Sequence, residues 1–181
     1  RHYFLDGKKS IYDSYLYMLK EGLTGVPIVD SDENFRGIIT IKDLAKAFID
    51  TKVEALNTSY DNLLKVLNAK EINRVDEEIS GNILAASYRS TTIINNVKFG
   101  HDDILIVGDR HSVIEYAVNS NIKMLIISGD SEIKDKHIEI AKQNKVNVIR
   151  SSYDTYHIAK LISLANYIYT MKKTTGDGVY F

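Results

Sequence analysis

The chain has 181 residues, 44% hydrophobic and 26% charged, and its 23 basic side chains almost balance 24 acidic ones. Without a basic excess to hold a phosphate backbone, nucleic-acid binding is not expected. The absence of cysteine excludes disulfides, thiol catalysis and zinc–thiolate sites. No apolar run approaches the roughly 20 residues of a membrane span. The opening run Tyr3-Phe4-Leu5 is ended at once by Asp6 and Gly7, unlike a signal peptide. A cytoplasmic protein without a membrane anchor is the expectation, and the missing initiator Met points to a piece of a longer polypeptide.

Ser10 can cap a helix running to about Glu21, with Ile11, Tyr15, Met18 and Leu19 on its apolar face and Gly22 as its stop. Two short strands follow. The first holds Val26, Ile28 and Val29 around the only proline, Pro27; turn residues Ser31 to Asn34 come next; then Gly37 opens Ile38-Ile39. Thr40 stands where a helix N-cap belongs, and Asp43 is placed to complete a capping box. A hydroxyl, a carboxylate and free N–H groups therefore converge at one helix start, a place suited to a phosphate and a sugar hydroxyl. That helix is expected to run to about Asp50, with Leu44, Ala45, Ala47 and Phe48 available for burial. A more polar helix, capped by Ser59, should present Leu63, Leu64, Val66 and Leu67.

From residue 80 the pattern changes. Ile83-Leu84-Ala85-Ala86, Ile104-Leu105-Ile106-Val107, Met124-Leu125-Ile126-Ile127 and Val146-Asn147-Val148-Ile149 are short and almost wholly apolar. Helical segments at about 112–120 and 132–144 separate the last three, and another, about 153–165, follows. Apolar strands alternating with helices predict a mostly parallel sheet covered by helices, an α/β unit.

Few constellations suggest chemistry. His101, Asp102, Asp103, Asp109 and His111 are all metal-ligand types, but Asp102 and Asp109 flank one strand. Seven residues of strand hold them roughly 20 Å apart, too far to share an ion. His2, His137 and His157 lack spaced partners and are expected at the surface. No nucleophile elbow and no glycine-rich phosphate loop occurs, and Ser151-Ser152 is read as the cap of the last helix. Gly108-Asp109-Arg110 and Ser128-Gly129-Asp130 end adjacent strands, so both turns should face the ligand-prone carboxyl edge of the sheet. Tight strand-to-helix turns with local pairing of Asp109 and Arg110 are the plainer explanation.

The string Val-Pro-Ile-Val-Asp (26–30), then Gly-Ile-Ile-Thr-Ile-Lys-Asp-Leu (37–44), resembles the latter two-thirds of a cystathionine β-synthase (CBS) domain. Residues 80–168 resemble a DRTGG domain: Asp109 and Arg110 match, Ser128-Gly129-Asp130 replaces the usual Thr-Gly-Gly, and 151–156 resembles the family's closing helix. The implied division is a CBS domain at 1–52 with an incomplete first strand, a linker helix at 53–79, a DRTGG-like domain at 80–168, and linker or the start of a second CBS domain at 169–181.

This order resembles the regulatory region of CBS-containing family II inorganic pyrophosphatases. The resemblance implies a chain without catalytic residues of its own that senses an adenine nucleotide: AMP, ADP, ATP or a diadenosine polyphosphate. Thr40 would take phosphate, Asp43 the ribose hydroxyls, and Gly25, Val26 and Ile28 would lie near the base. It also implies a homodimer through the CBS and DRTGG domains, with manganese held only by catalytic domains not in this chain. The regulatory arm of another enzyme, phosphotransacetylase-like or thioesterase-like, and a purely structural dimerisation block remain open alternatives.

Overall fold

The computed structural model describes residues 3–47, 55–86 and 98–174. They fall into two units: residues 1–52 together with 163–181, and residues 53–162. Among the described residues, no helix is long and apolar enough to cross a membrane.

The first unit is built on a three-stranded sheet of order β1-β2-β3. Strand β1 (Leu5–Asp6) pairs parallel with β2 (Gly25–Val29), which pairs antiparallel with β3 (Phe35–Thr40). Helix α1 (Ile11–Glu21) lies between β1 and β2 in the chain, and α2 (Ile41–Ala47) follows β3. Ser10 caps α1 by accepting the Asp13 N–H at 3.0 Å, and Gly22 ends it in the left-handed conformation, φ 64°. The expected burial of this helix needs correction. Ile11 and Met18 are buried, but so is Ser14, while Leu19 is 52% exposed and Tyr15 only half-buried. Ser14 tolerates the core because its hydroxyl donates to the Ser10 carbonyl at 2.7 Å.

Asp30 organises the β2–β3 turn. Its Oδ1 accepts the amides of Asp32 and Asn34, each at 2.9 Å, and its Oδ2 accepts Arg36 Nε at 2.7 Å. The Asn34 amide, helped by Arg36 and Asp32, holds this carboxyl below its usual range despite some desolvation.

The segment from residue 163, expected as the end of the DRTGG-like domain and, from 169, as linker or the start of a second CBS domain, instead closes this unit. Ile11 N–H donates to Asn166 O at 2.9 Å, Ile168 N–H to Lys9 O at 2.7 Å, and Tyr169 N–H to Gly7 O at 3.1 Å. Residues 166–169 thus run antiparallel to 7–11, with Tyr167 and Ile168 buried, and continue as a 3-10 helix, Ile168–Thr174. Phe48 and the end expected for α2 near Asp50 lie outside the described residues.

The second unit carries a six-stranded sheet of order β4-β6-β7-β8-β9-β5. In chain order it comprises β4 (Ala55–Ser59), α3 (Tyr60–Val66), β5 (Ala69–Asn73), β6 (Glu78–Ala85), β7 (Asp103–Val107), α4 (His111–Val118), β8 (Met124–Ile127), α5 (Asp135–Gln143), β9 (Asn147–Ser151) and α6 (Thr155–Leu161). Strands β6 to β9 are parallel, and the edge strands β4 and β5 are antiparallel to their neighbours. The four apolar runs are strands because both faces of a parallel sheet are covered. Leu105, Val107, Leu125, Ile127 and Val148 meet Val113, Ile114, Ala117, Val118 and Ala141 of α4 and α5. The alternate residues face the other way, where α6 packs on β7.

Three expectations change here. The stretch 53–79, expected as a linker helix, instead supplies both edge strands and α3 to the sheet. Ser59 does cap that helix, accepting the Asn62 N–H at 3.1 Å. His137, expected at the surface, is 1% exposed on α5, and neither ring nitrogen has a hydrogen-bond partner. The cap of α6 is not Ser151-Ser152 but Asp154, whose Oδ1 accepts the His157 N–H at 2.7 Å. Ser151 instead ends β9, buried, and its hydroxyl donates to Leu67 O at 2.7 Å.

Candidate functional site

Helix α2 starts where the β2–β3 ladder ends. Gly25 is paired directly with Thr40, and the Ile41 N–H donates to Thr24 O at 3.0 Å, so the first turn of α2 stands beside the beginning of β2. Thr40 and Asp43 form the reciprocal cap expected from their spacing. Asp43 N–H donates to Thr40 Oγ1 at 3.1 Å, and Asp43 Oδ2 accepts both the Thr40 N–H at 3.2 Å and the Thr40 hydroxyl at 2.7 Å. Thr40 is exposed and Asp43 half-buried, whereas Leu44, the next residue, is fully buried and fixes the helix on the sheet.

The remaining candidates divide. Gly25 is exposed at the same end as Thr40, and a Cβ there would make only ordinary contacts with Ile38 and the Ile39 carbonyl. Val26 and Ile28 are each 1% exposed, so their side chains belong to the core. Ile28 also lines a separate cleft of about 310 Å³ at the far end of β2, together with Asp6, Lys8, Asp30, Arg36 and Tyr169. Residue spacing could not reveal that cleft, because Tyr169 reaches it from the returning C-terminal segment.

The donor set at Thr40 and Asp43 suits a polyhydroxylated, anionic ligand. Both cap bonds to the carboxylate use Oδ2, which leaves Oδ1 to accept from a sugar hydroxyl. A phosphate could take the Thr40 hydroxyl as donor if the carboxylate released it. The arrangement can bind and orient such a ligand. Among the described residues, no cluster of three metal-ligand side chains is formed.

In the second unit, the turns after β7 and β8 do share the carboxyl edge of the sheet. A Cβ added at Gly108 would stand 3.2 Å from Ser128 Oγ, and Ser128 Oγ lies 2.8 Å from Thr155 Oγ1. Gly129 N–H donates to Tyr153 O at 2.7 Å and Asp130 N–H to Ser151 O at 2.9 Å, fastening the β8 turn to the chain leaving β9. Asp109 lies 3.4 Å from His111 Nε2, and the Arg110 N–H turns back to Gly108 O at 2.8 Å.

Comparison with known proteins agrees with this architecture. A family model of the DRTGG domain matches residues 62–165, and one of the CBS domain matches residues 3–50. Over 168 residues the chain is 27% identical to a probable manganese-dependent inorganic pyrophosphatase of Thermotoga maritima, covering 90% of this chain and 30% of that protein. Over 151 residues it is 25% identical to a cobalt-dependent inorganic pyrophosphatase of Clostridium perfringens, covering 80% of this chain and 27% of that protein. The chain thus spans less than a third of the length of these curated relatives. Its fold is similar to the crystal structure of the CBS and DRTGG domains of the regulatory region of Clostridium perfringens pyrophosphatase, complexed with the activator diadenosine tetraphosphate. That likeness has a TM-score of 0.80 at 21% identity and covers 94% of this chain and 76% of the other.

Proposed function

The chain belongs to the DRTGG domain family, with a CBS domain ahead of the DRTGG domain, and from that premise we propose that it is the adenine-nucleotide-sensing regulatory region of a family II, metal-dependent inorganic pyrophosphatase. The observation that carries this reading is the continuity of the match: one alignment to a pyrophosphatase runs through 90% of the chain, across both units. The exposed Thr40–Asp43 cap is the contact point we assign to the nucleotide, with Asp43 taking ribose hydroxyls, Thr40 taking phosphate, and the base lying toward Gly25 and the backbone of Val26 and Ile28. AMP, ADP, ATP and diadenosine polyphosphates all carry these groups.

The chain's own role is binding, and its effect on catalysis is a shift of population. A nucleotide that binds one arrangement of the CBS domains better than another biases the catalytic domains by that difference in affinity and no more. Manganese or cobalt would sit in those catalytic domains, outside this chain. A homodimer through the CBS and DRTGG domains, in the cytoplasm, completes the proposal.

Calorimetry on the parent polypeptide with AMP, ADP, ATP and diadenosine tetraphosphate, alongside an assay of pyrophosphate hydrolysis with manganese, tests it. Saturable binding of at least one nucleotide together with a changed hydrolysis rate is expected. No binding by the parent polypeptide, or no pyrophosphate hydrolysis, would overturn the reading.

A further inference from the structure

The carboxyl edge of the six-stranded sheet holds a recess of about 690 Å³, within the range of small-molecule sites. Two elements make its walls: the turn after β7, with Gly108, Asp109 and Arg110, and the exposed side of α6, with Thr155, Tyr156 and Ala159. Two small residues, Ala85 at the end of β6 and Ala86 just after it, supply the rest of the described lining. Ligands of open α/β sheets favour this edge, where strand ends deliver side chains from several turns to one point.

The chemistry of the lining is selective. Arg110 brings a planar, permanently charged guanidinium suited to a carboxylate or phosphate. Asp109 is turned toward His111, 3.4 Å from its Nε2. Tyr156 presents a ring that is 73% exposed, unusual for so large an apolar surface, with Lys160 Nζ 5.4 Å from the ring centroid adding a second positive charge. The Ser128–Thr155 hydroxyl pair, at 2.8 Å, and the crowding at Gly108 hold the β7 turn and α6 at a set distance.

We propose that this recess binds a small organic anion bearing a planar ring, with the anionic group on Arg110 and the ring against Tyr156. The site lies wholly within the second unit and is separate from the Thr40–Asp43 cap. It gives the DRTGG unit a ligand of its own.

The test is a titration of the isotopically labelled full chain, followed by amide chemical shifts, with phenyl phosphate and benzoate as probes and inorganic phosphate and phenol as their halves. An Asp43→Ala background silences the nucleotide site, so failure here is distinguishable from failure of the proposed function. Saturable shifts at Gly108, Arg110, Thr155 and Tyr156 are expected with phenyl phosphate or benzoate, and the tighter of the two identifies the anion. Each half alone should bind more weakly. Arg110→Ala should lower affinity about tenfold or more, Arg110→Lys less, and Tyr156→Ala, at an exposed position, about fivefold. No saturable shift at about 10 mM probe, where a millimolar Kd would already be evident, overturns the proposal. Equal affinity for phenol and phenyl phosphate, or an Arg110→Ala variant that binds unchanged, does the same.

Discussion

The Thr40 hydroxyl and the Asp43 carboxylate satisfy each other at 2.7 Å, so a ligand at this helix start competes with a bond the protein already makes. On the proposed function, cap and nucleotide contact are one structure, and substitutions should report on both. Thr40→Ala should lower stability by about 1 kcal/mol through the lost cap, and weaken nucleotide binding as well. Thr40→Ser keeps the hydroxyl and should restore both. Denaturant titration together with calorimetry on the parent polypeptide separates the effects. Unchanged affinity in both Thr40→Ala and Asp43→Ala would move the ligand away from this cap.

A second prediction concerns acid. Asn147, fully buried at the start of β9, donates Nδ2 to Asp76 Oδ2 at 3.0 Å, and its Oδ1 accepts the Val75 and Asp76 amides. Lys123 Nζ reaches the same Asp76 oxygen at 3.0 Å. Desolvation opposes ionisation of Asp76, but the hydrogen bonds from Asn147 and Lys123 outweigh it and hold the carboxyl below its usual value. The folded state therefore binds its proton less readily than the unfolded chain. The stabilisation is complete above about pH 4 and is lost as pH falls through the lower folded value. Denaturation midpoints at neutral and acid pH should differ less for Asp76→Asn than for wild type; equal losses in the two proteins would contradict this.

His137 gives a limb in a different range. Burial depresses its pKa, and the nearby Lys136, Lys134 and His111 add to the effect against a smaller pull from Glu115. Because the folded ring resists protonation, the unfolded chain takes up the proton first as pH drops below about 6.5. Stability should decline from there, by at most about 1.4 kcal/mol for each pH unit. His137→Leu should flatten stability between pH 7 and 5. A decline of the same slope in that variant would assign the effect elsewhere.

Gly81 tests the sheet itself. It sits at φ 156°, opposite Leu56 of β4, and an added Cβ would run into the carbonyl of Asp102, which accepts the Asn82 N–H at 2.6 Å. Gly81→Ala combines an unfavourable backbone region with a clash against main chain, and should destabilise by about 2 kcal/mol or more. A denaturant midpoint indistinguishable from wild type would sink this account.

The central strands were legible because burial on both faces demands unbroken apolar runs, as in Met124-Leu125-Ile126-Ile127. The edge strands were not. Ala55-Leu56-Asn57-Thr58-Ser59 and Ala69-Lys70-Glu71-Ile72-Asn73 are half-exposed and polar, so their composition reads as linker. His137 escaped notice because nothing in its neighbourhood along the chain announces a buried ring. At the candidate site, Thr40 and Asp43 could be paired from spacing alone, since a cap is a local structure. Val26 and Ile28 could not be sorted into core or surface without the sheet. The recess at Gly108–Arg110 needed α6, some 45 residues on, to become a cavity.

The return of residues 163–174 to the first unit makes the second unit an insertion within it. During synthesis, every residue of the second unit leaves the ribosome before Tyr167 and Ile168 can dock beside Gly7 to Ile11. The N-terminal unit, first to be made, must therefore wait to be completed, and it closes only after the inserted unit has had time to fold. A lesion that delays folding of the inserted sheet would leave the first unit open as well, although no residue of its own has changed.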